Sequence, residues 1–339
     1  MALFNFLTKE IAIDLGTANT VIMYNDKVVV NEPSIVAIDN TTNTVMAVGK
    51  KAMMMHGKTH EHIKTIIPLR DGVIADFYAA EIMIREFIKM IPWKNTIINY
   101  SYRMVIGIPS GITEVEMRAV HDSAEQAGAK EVKLIHEPMA AALGIGIDVL
   151  DNTGNMIVDI GGGTTEVAVI ALGGIISNKS IRIGGTELNE DIQDYMRRAH
   201  NLSIGERTAE RIKIDVGAAI PNIENPPDPI EVNGRDIITG IPRSVQVNHE
   251  EIAHAIDKTI SKIEDTVISA LENTPPELSA DILQNGVYLT GGSSLLRGLD
   301  KRLSSRIKLK VQLGEDPLLA VARGTSVALK NFNKFPFLI

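Results

Sequence analysis

Two short segments carry the residues best suited to chemistry: Asp14-Leu-Gly-Thr-Ala-Asn-Thr20 and Asp159-Ile-Gly-Gly-Gly-Thr-Thr165. Each starts with a carboxylate, ends with a hydroxyl and holds glycine between them. Backbone N–H groups in such turns can cradle phosphate oxygens, because glycine allows close approach and φ > 0. Gly161, Gly162 and Gly163 would let amides reach the phosphates. Asp14 and Asp159 are hard oxygen ligands suited to Mg²⁺, directly or through its retained waters. One such turn alone reads most simply as a hairpin. Two of them suggest a duplicated domain that clamps one polyphosphate from both sides.

The elements that must position these groups follow from the apolar pattern. The first turn lies between strand-like Ile11-Ala-Ile13 and Val21-Ile-Met-Tyr24, the second between Met156-Ile-Val158 and Val167-Ala-Val-Ile170. Short strands are expected around 35–38 and 45–48, a helix over 76–90, a strand at 104–108, a helix over 113–127 and a strand at 132–135. Pro138 suits the first turn of the next helix. After Gly154 the pattern restarts. Helices are expected over 187–199, 203–216, 249–271 and 317–330, with a hairpin turning at Asn233-Gly234 and a strand at 287–289 that enters Thr290-Gly-Gly-Ser-Ser294. Three strands followed by alternating helix and strand, twice over, predict two α/β domains of like topology around a cleft. Ligands collect at the carboxyl ends of strands in open α/β sheets. His136-Glu137-Pro138 and Thr290–Ser294 would therefore meet the two glycine turns there. Glu137 stands where a strand enters a helix, so its carboxylate could orient water at a phosphate-binding helix terminus, or serve only as an N-terminal cap.

Composition narrows the classes. At 339 residues, 45% apolar and 22% charged, the chain has room for two cores. A net charge of −8 argues against nucleic acid as a partner. The absence of cysteine excludes disulfides, Cys-ligated zinc and thiol catalysis. Gly57-Lys58-Thr59 lacks the glycine a Walker A loop needs at Ala52. His56, His60 and His62 have no defined fourth ligand and read as a solvated face.

The combined turns resemble the actin, chaperone and sugar-kinase ATPase superfamily. Across the chain, Ile13–Thr20, Asp71–Phe77, Pro109–Val115, Glu137–Ala142, Asp159–Val167 and Leu289–Gly292 are similar to the MreB family of bacterial actins. The resemblance implies duplicated ribonuclease H-like (actin-like) ATPase domains with four subdomains around a nucleotide cleft. Domain I would be 1–147 plus 312–339, with an insert near 33–68, and domain II 148–311, with an insert near 184–240. ATP and Mg²⁺ would be the ligands. By the same resemblance, Thr17, Ala18 and Asn19 meet the β- and γ-phosphates, opposed by the loop of Gly161, Gly162 and Gly163, and Asp14, Gly16 and Asp159 belong to the same cofactor site, the two carboxylates toward Mg²⁺. Glu210, Arg211, Ile212 and Lys213 border ribose and base, Thr290, Gly291, Gly292 and Ser293 lie beneath adenine, and Glu137 with Thr164 positions the attacking water. Relatives commonly carry Asp where Thr186 stands, so hydrolysis is expected to be altered.

The implied function is a slow ATP hydrolase that polymerises with ATP and organises cell-wall synthesis to maintain rod shape. The alternatives are a chaperone-like ATPase and a small-molecule kinase. Implied partners are copies of itself in paired protofilaments, transmembrane and cytoplasmic cell-wall elongation proteins, and the inner face of the plasma membrane. Leu3, Phe4, Phe6 and Leu7 cover one arc of a helical wheel and form a candidate interfacial anchor. Ile91 and Trp93, the only tryptophan, match a small hydrophobic loop that family members insert into the bilayer. The plainer readings are a frayed tail and a core tryptophan.

Overall fold

The computed structural model describes residues 8–92 and 101–339. The first half opens with β1 (Thr8–Leu15), β2 (Asn19–Tyr24) and β3 (Lys27–Pro33). Then come β4 (Val36–Asp39), β5 (Thr44–Val48), α1 (Lys50–Met55), β6 (Ile63–Ile66), β7 (Leu69–Arg70), β8 (Val73–Ile74) and α2 (Phe77–Lys89). β9 (Ser101–Ile108), α3 (Glu114–Gln126), β10 (Ala129–His136) and α4 (Glu137–Gly144) complete it. The second half restarts with β11 (Asn155–Ile160), β12 (Thr165–Ala171) and β13 (Gly174–Ile181). α5 (Gly185–His200), β14 (Leu202–Ser203), α6 (Glu206–Val216), β15 (Ile230–Asp236) and β16 (Pro242–Val247) follow. α7 (His249–Ala255), α8 (Asp257–Glu272), α9 (Pro276–Asn285), β17 (Val287–Thr290), α10 (Leu299–Ile307), β18 (Val311–Leu313) and α11 (Ala320–Lys330) close the chain.

The duplication is written in the sheets. One is ordered β10-β9-β1-β2-β3 and the other β13-β12-β11-β17-β18, so each runs third, second, first, fourth, fifth in its own half. In both, the first three strands form an antiparallel meander and the last two join in parallel. Even the register repeats, because Leu15 pairs with Thr20 and Ile160 with Thr165. Both glycine turns therefore hang from identical hairpins. This is the actin-like α/β fold.

Strand alternation decides what each sheet face covers. In domain I, Ile11, Ile13 and Leu15 join Met104 and Ile106 against α2 and α3, while Ala12 and Val105 face the other way. In domain II, Met156, Val158 and Val167 pack on α5, α6 and α8, while Ile157, Ala168 and Ile170 face back. Those back faces share one core with α4 and α11, in which Ala12, Ala140, Ala141, Ala142, Ala168, Ala320, Ala322 and Ala328 are set among larger residues such as Met139, Ile157, Ile170 and Phe332. The two helices touch almost backbone to backbone. A Cβ on Gly324 would lie 1.6 Å from the Ala140 carbonyl oxygen, and one on Gly144 1.8 Å from that of Ala320.

Several expectations are corrected. Asn233 and Gly234 lie inside β15, paired with Ser244 and Arg243, and the hairpin turns instead through Ile237–Gly240. There the Asp236 carboxylate accepts the Ile238 and Thr239 N–H groups at 2.9 and 2.8 Å. Gly234 is glycine because a Cβ would meet Leu202 and the Ser203 carbonyl, each at 2.7 Å. The helix expected over 249–271 is two helices broken at Ile256, beside which Arg302 takes both the carboxylate and the carbonyl of Asp257 at 2.8 and 3.3 Å. Residues 317–319 form a 3-10 turn ahead of α11. His56 follows the end of α1 and hydrogen-bonds Thr65 at 2.8 Å.

Candidate functional site

The two glycine turns face each other across the domains. A Cβ built on Gly162 would lie 2.7 Å from Cβ of Ala18, and one on Gly163 2.8 Å from Thr17 Oγ1. The expected reason for glycine is half right. Gly16 and Gly161–Gly163 all have ordinary φ, so at Gly16, Gly162 and Gly163 the demand is for room and not for a left-handed backbone, while a Cβ on Gly161 would meet nothing closer than 3.5 Å.

Each turn is gripped from behind. In domain I, Ser34 donates its hydroxyl to the Gly16 carbonyl at 2.6 Å and its N–H to that of Ala18 at 3.0 Å. In domain II, the first N–H groups of α5 do the same work: Gly185 binds the Gly161 carbonyl at 3.0 Å and Thr186 that of Gly162 at 2.8 Å. A peptide N–H points opposite its C=O. Fixing those carbonyls therefore turns the Thr17, Asn19, Gly162 and Gly163 amides away from their supports, the arrangement an anion nest needs. Thr186 lies here, with its backbone N–H committed to the turn.

Four carboxylates converge behind the turns. Asp159 is 4% exposed, Glu137 9% and Glu166 0%. Burial, aided by the Asp159 charge, raises the Asp14 carboxyl to about 7. Burial raises Asp159 to about 6. Glu137 is pushed well above the usual carboxylate range by burial, then by Glu166, Asp159 and Asp14. An atom of this group, Asp159 Oδ1, is buried without a hydrogen-bond partner. Such crowding of like charge with an orphaned oxygen fits a divalent cation, and Asp14 and Asp159 are the residues that would hold it. Glu137 opens α4, with His136 at the N-cap. Thr164 is buried, and its carbonyl closes the second turn by accepting the Gly161 N–H at 2.9 Å.

The Asp71–Phe77 run gains a role. Asp71 and Gly72 form a two-residue turn between β7 and β8, both with positive φ. Gly72 donates its N–H to Thr17 Oγ1 at 3.0 Å, and a Cβ on it would strike Thr164 at 2.8 Å. Asp76 caps α2 through the Ala79 N–H.

On the base side, helix periodicity divides the contiguous block. Lys213 reaches the Gly185 carbonyl at 2.9 Å and Glu210 at 2.7 Å, and Asn189 also binds Glu210 at 2.7 Å. Arg211 is exposed and turns to the Glu231 carbonyl, and Ile212 is 0% exposed in the domain II core. Those two do not join the site. Residues three apart share a helix face and adjacent ones do not. Ser293 hydrogen-bonds the Gly161 carbonyl at 2.8 Å, fixing the loop from Thr290 to Ser293 against the second turn. Gly291, at φ +81°, sits where a Cβ would strike the Ile160 carbonyl oxygen at 2.4 Å.

Ser34, Asn189 and Glu166 are absent from the sequence reading. Only Glu166 left a signal, a carboxylate inside the otherwise apolar β12. Of the expected membrane residues, Leu3, Phe4, Phe6, Leu7 and Trp93 lie outside the described residues. Ile91 is 2% exposed in the domain I core beside Phe87 and Ile88, so it does not face a bilayer. No helix among the described residues is long and apolar enough to cross a membrane.

Residues 8–336 match the MreB/Mbl protein family. The chain is 47% identical over 328 residues to the cell shape-determining protein MreB of Escherichia coli (strain K12), covering 95% of this chain and 94% of that one. It is 44% identical over 329 residues to the cell shape-determining protein Mbl of Bacillus subtilis (strain 168), covering 97% and 98%. Among solved structures, MreB5 of Spiroplasma citri bound to AMPPNP superposes with a TM-score of 0.90 at 39% identity, covering 96% and 97%.

Proposed function

The chain belongs to the MreB/Mbl family, and from that premise we propose that it is a cytoskeletal ATPase, one that binds ATP with Mg²⁺ between its domains and polymerises into filaments. The observation that carries this reading is the opposition of two glycine turns, each fixed by its carbonyls, before a cluster of buried carboxylates. MreB5 of Spiroplasma citri, bound to AMPPNP, supports the choice of ligand.

Asp14 and Asp159 hold the cation, which supplies charge neutralisation to the phosphates. Thr17, Asn19, Gly162 and Gly163 offer amides to the phosphate oxygens. Lys213 and Glu210 border the ribose and base, and the loop from Thr290 to Ser293 underlies the adenine. Glu137 and Thr164 orient the attacking water. Phosphoryl transfer depends mainly on positioning and charge, so this set suffices for slow turnover.

Filaments of the chain would organise cell-wall synthesis at the inner face of the plasma membrane. The anchor rests on Leu3, Phe4, Phe6, Leu7 and Trp93, without Ile91. Weak anchors arrayed along a polymer gain firmness through effective concentration. ATP-dependent sedimentation is the deciding experiment: filaments that pellet with Mg-ATP, and not with EDTA, are expected. Failure to pellet, together with transfer of labelled phosphate to a small acceptor, would favour a kinase. Deletion of residues 2–7 with Trp93→Ala is expected to abolish cosedimentation with liposomes.

A further inference from the structure

Glu166 is wholly buried, yet no cation lies against it among the described residues. Its partners are hydroxyls and an amide drawn from both domains. One carboxylate oxygen accepts the Ser110 backbone N–H at 3.1 Å and the Ser110 hydroxyl, and the other accepts the Ser180 hydroxyl at 2.6 Å. Ser110 lies between β9 and α3 in domain I, whereas Glu166 and Ser180 are paired neighbours on β12 and β13.

Alternation along β12 puts Glu166 on the same face as Ala168 and Ile170, which pack into the seam between the domains. The apolar seam therefore ends, toward the cleft, in a carboxylate that grips the opposite domain. The contact is close: a Cβ on Gly111 would lie 3.0 Å from the Ser180 side chain. An outer contact, Arg182 with Glu116 at 3.6 Å, also crosses the boundary but is largely exposed. The gripped loop leads on to the chemistry. Ser110 follows the end of β9, the strand that pairs Ile108 with His136, and His136 stands at the N-cap position of the helix that Glu137 opens.

We propose that Glu166 is a positioning residue, a latch that holds domain II closed on domain I through Ser110 and so keeps Glu137 and Thr164 aligned across the cleft. The latch rests on the nucleotide-cleft reading given above, yet it can be tested without nucleotide. The natural chain has no cysteine, so Lys51→Cys and Ile238→Cys, both exposed, give a unique pair for spin labels on the two inserts. Electron–electron dipolar spectroscopy of the nucleotide-free protein then reads the distance across the cleft.

Ser110→Ala and Glu166→Gln are expected to lengthen and broaden that distance, and Ser110→Thr to restore it. Ser177→Ala, which removes another β13 hydroxyl, is the structural control and leaves it unchanged. With labelled ATP, release from Ser110→Ala is expected to be about tenfold faster, the scale of one lost hydrogen bond to a charged group. Parent-like distances in both Ser110→Ala and Glu166→Gln would overturn the latch. Widened distances in a protein that binds no ATP would uphold the latch and overturn the nucleotide reading.

Discussion

Asp14 and Asp159 titrate near neutrality, at about 7 and about 6, because burial opposes their charge. The folded state thus binds protons more readily than the unfolded one, whose carboxyls titrate near 3.8. Stability from these groups is present at low pH and is lost as pH rises through about 7. In EDTA, the melting temperature is expected to fall between about pH 5 and pH 8, and Asp14→Asn to melt about 2–4 °C above the parent at pH 8. The same variant should lose Mg-ATP binding. A lower melting temperature for Asp14→Asn would refute the repulsion. Lys213→Ala is expected to weaken binding of fluorescent ATP about tenfold, while Arg211→Ala leaves it unchanged. At this scale the turns were legible from residue type, since Asp, Gly and Thr recur at one spacing. Glu166 was not, because its meaning lies in Ser110, far away in the chain. Arg211 and Ile212 were misplaced because a contiguous block was carried over where a helix uses only one side of itself.

Elements were legible where local chemistry decides them. Thr113 and Glu116 make a capping box that starts α3, and Asp76 caps α2. They were illegible where distant partners intervene, as at the α7–α8 break beside Arg302 or at Gly234 under β14. The packing of α4 on α11 belongs to the second kind, because neither Gly144 nor Gly324 shows in sequence that it faces a carbonyl. Gly324→Ala or Gly144→Ala must push the helices apart, and each is expected to cost about 3 kcal/mol or more. Urea unfolding monitored by circular dichroism measures this. Gly205→Ala, where a Cβ meets nothing within 4 Å, is the control and should shift the midpoint little. Equal effects at Gly324 and Gly205 would show that the tight contact carries no energetic weight.

For the whole molecule, ligand binding should couple the halves. Mg-ATP at 100 times its Kd should stabilise the folded state by about 2.7 kcal/mol, seen as a rise in melting temperature that EDTA removes. The duplicated architecture was readable from the repeated order of strands, helices and turns. How the halves meet was not, because alanine on a strand or helix gives no sign of which neighbour it faces. That seam has a mechanical consequence. Leucine and isoleucine interlock as knobs in holes, so turning one layer on another lifts side chains out of their sockets. The alanines of α4 and α11 give domain I a shallow face, but Ile157 and Ile170 of domain II stand against it with Met139 and Phe332. Opening the cleft must therefore shift these few larger side chains as well as undo the polar clasps at its rim.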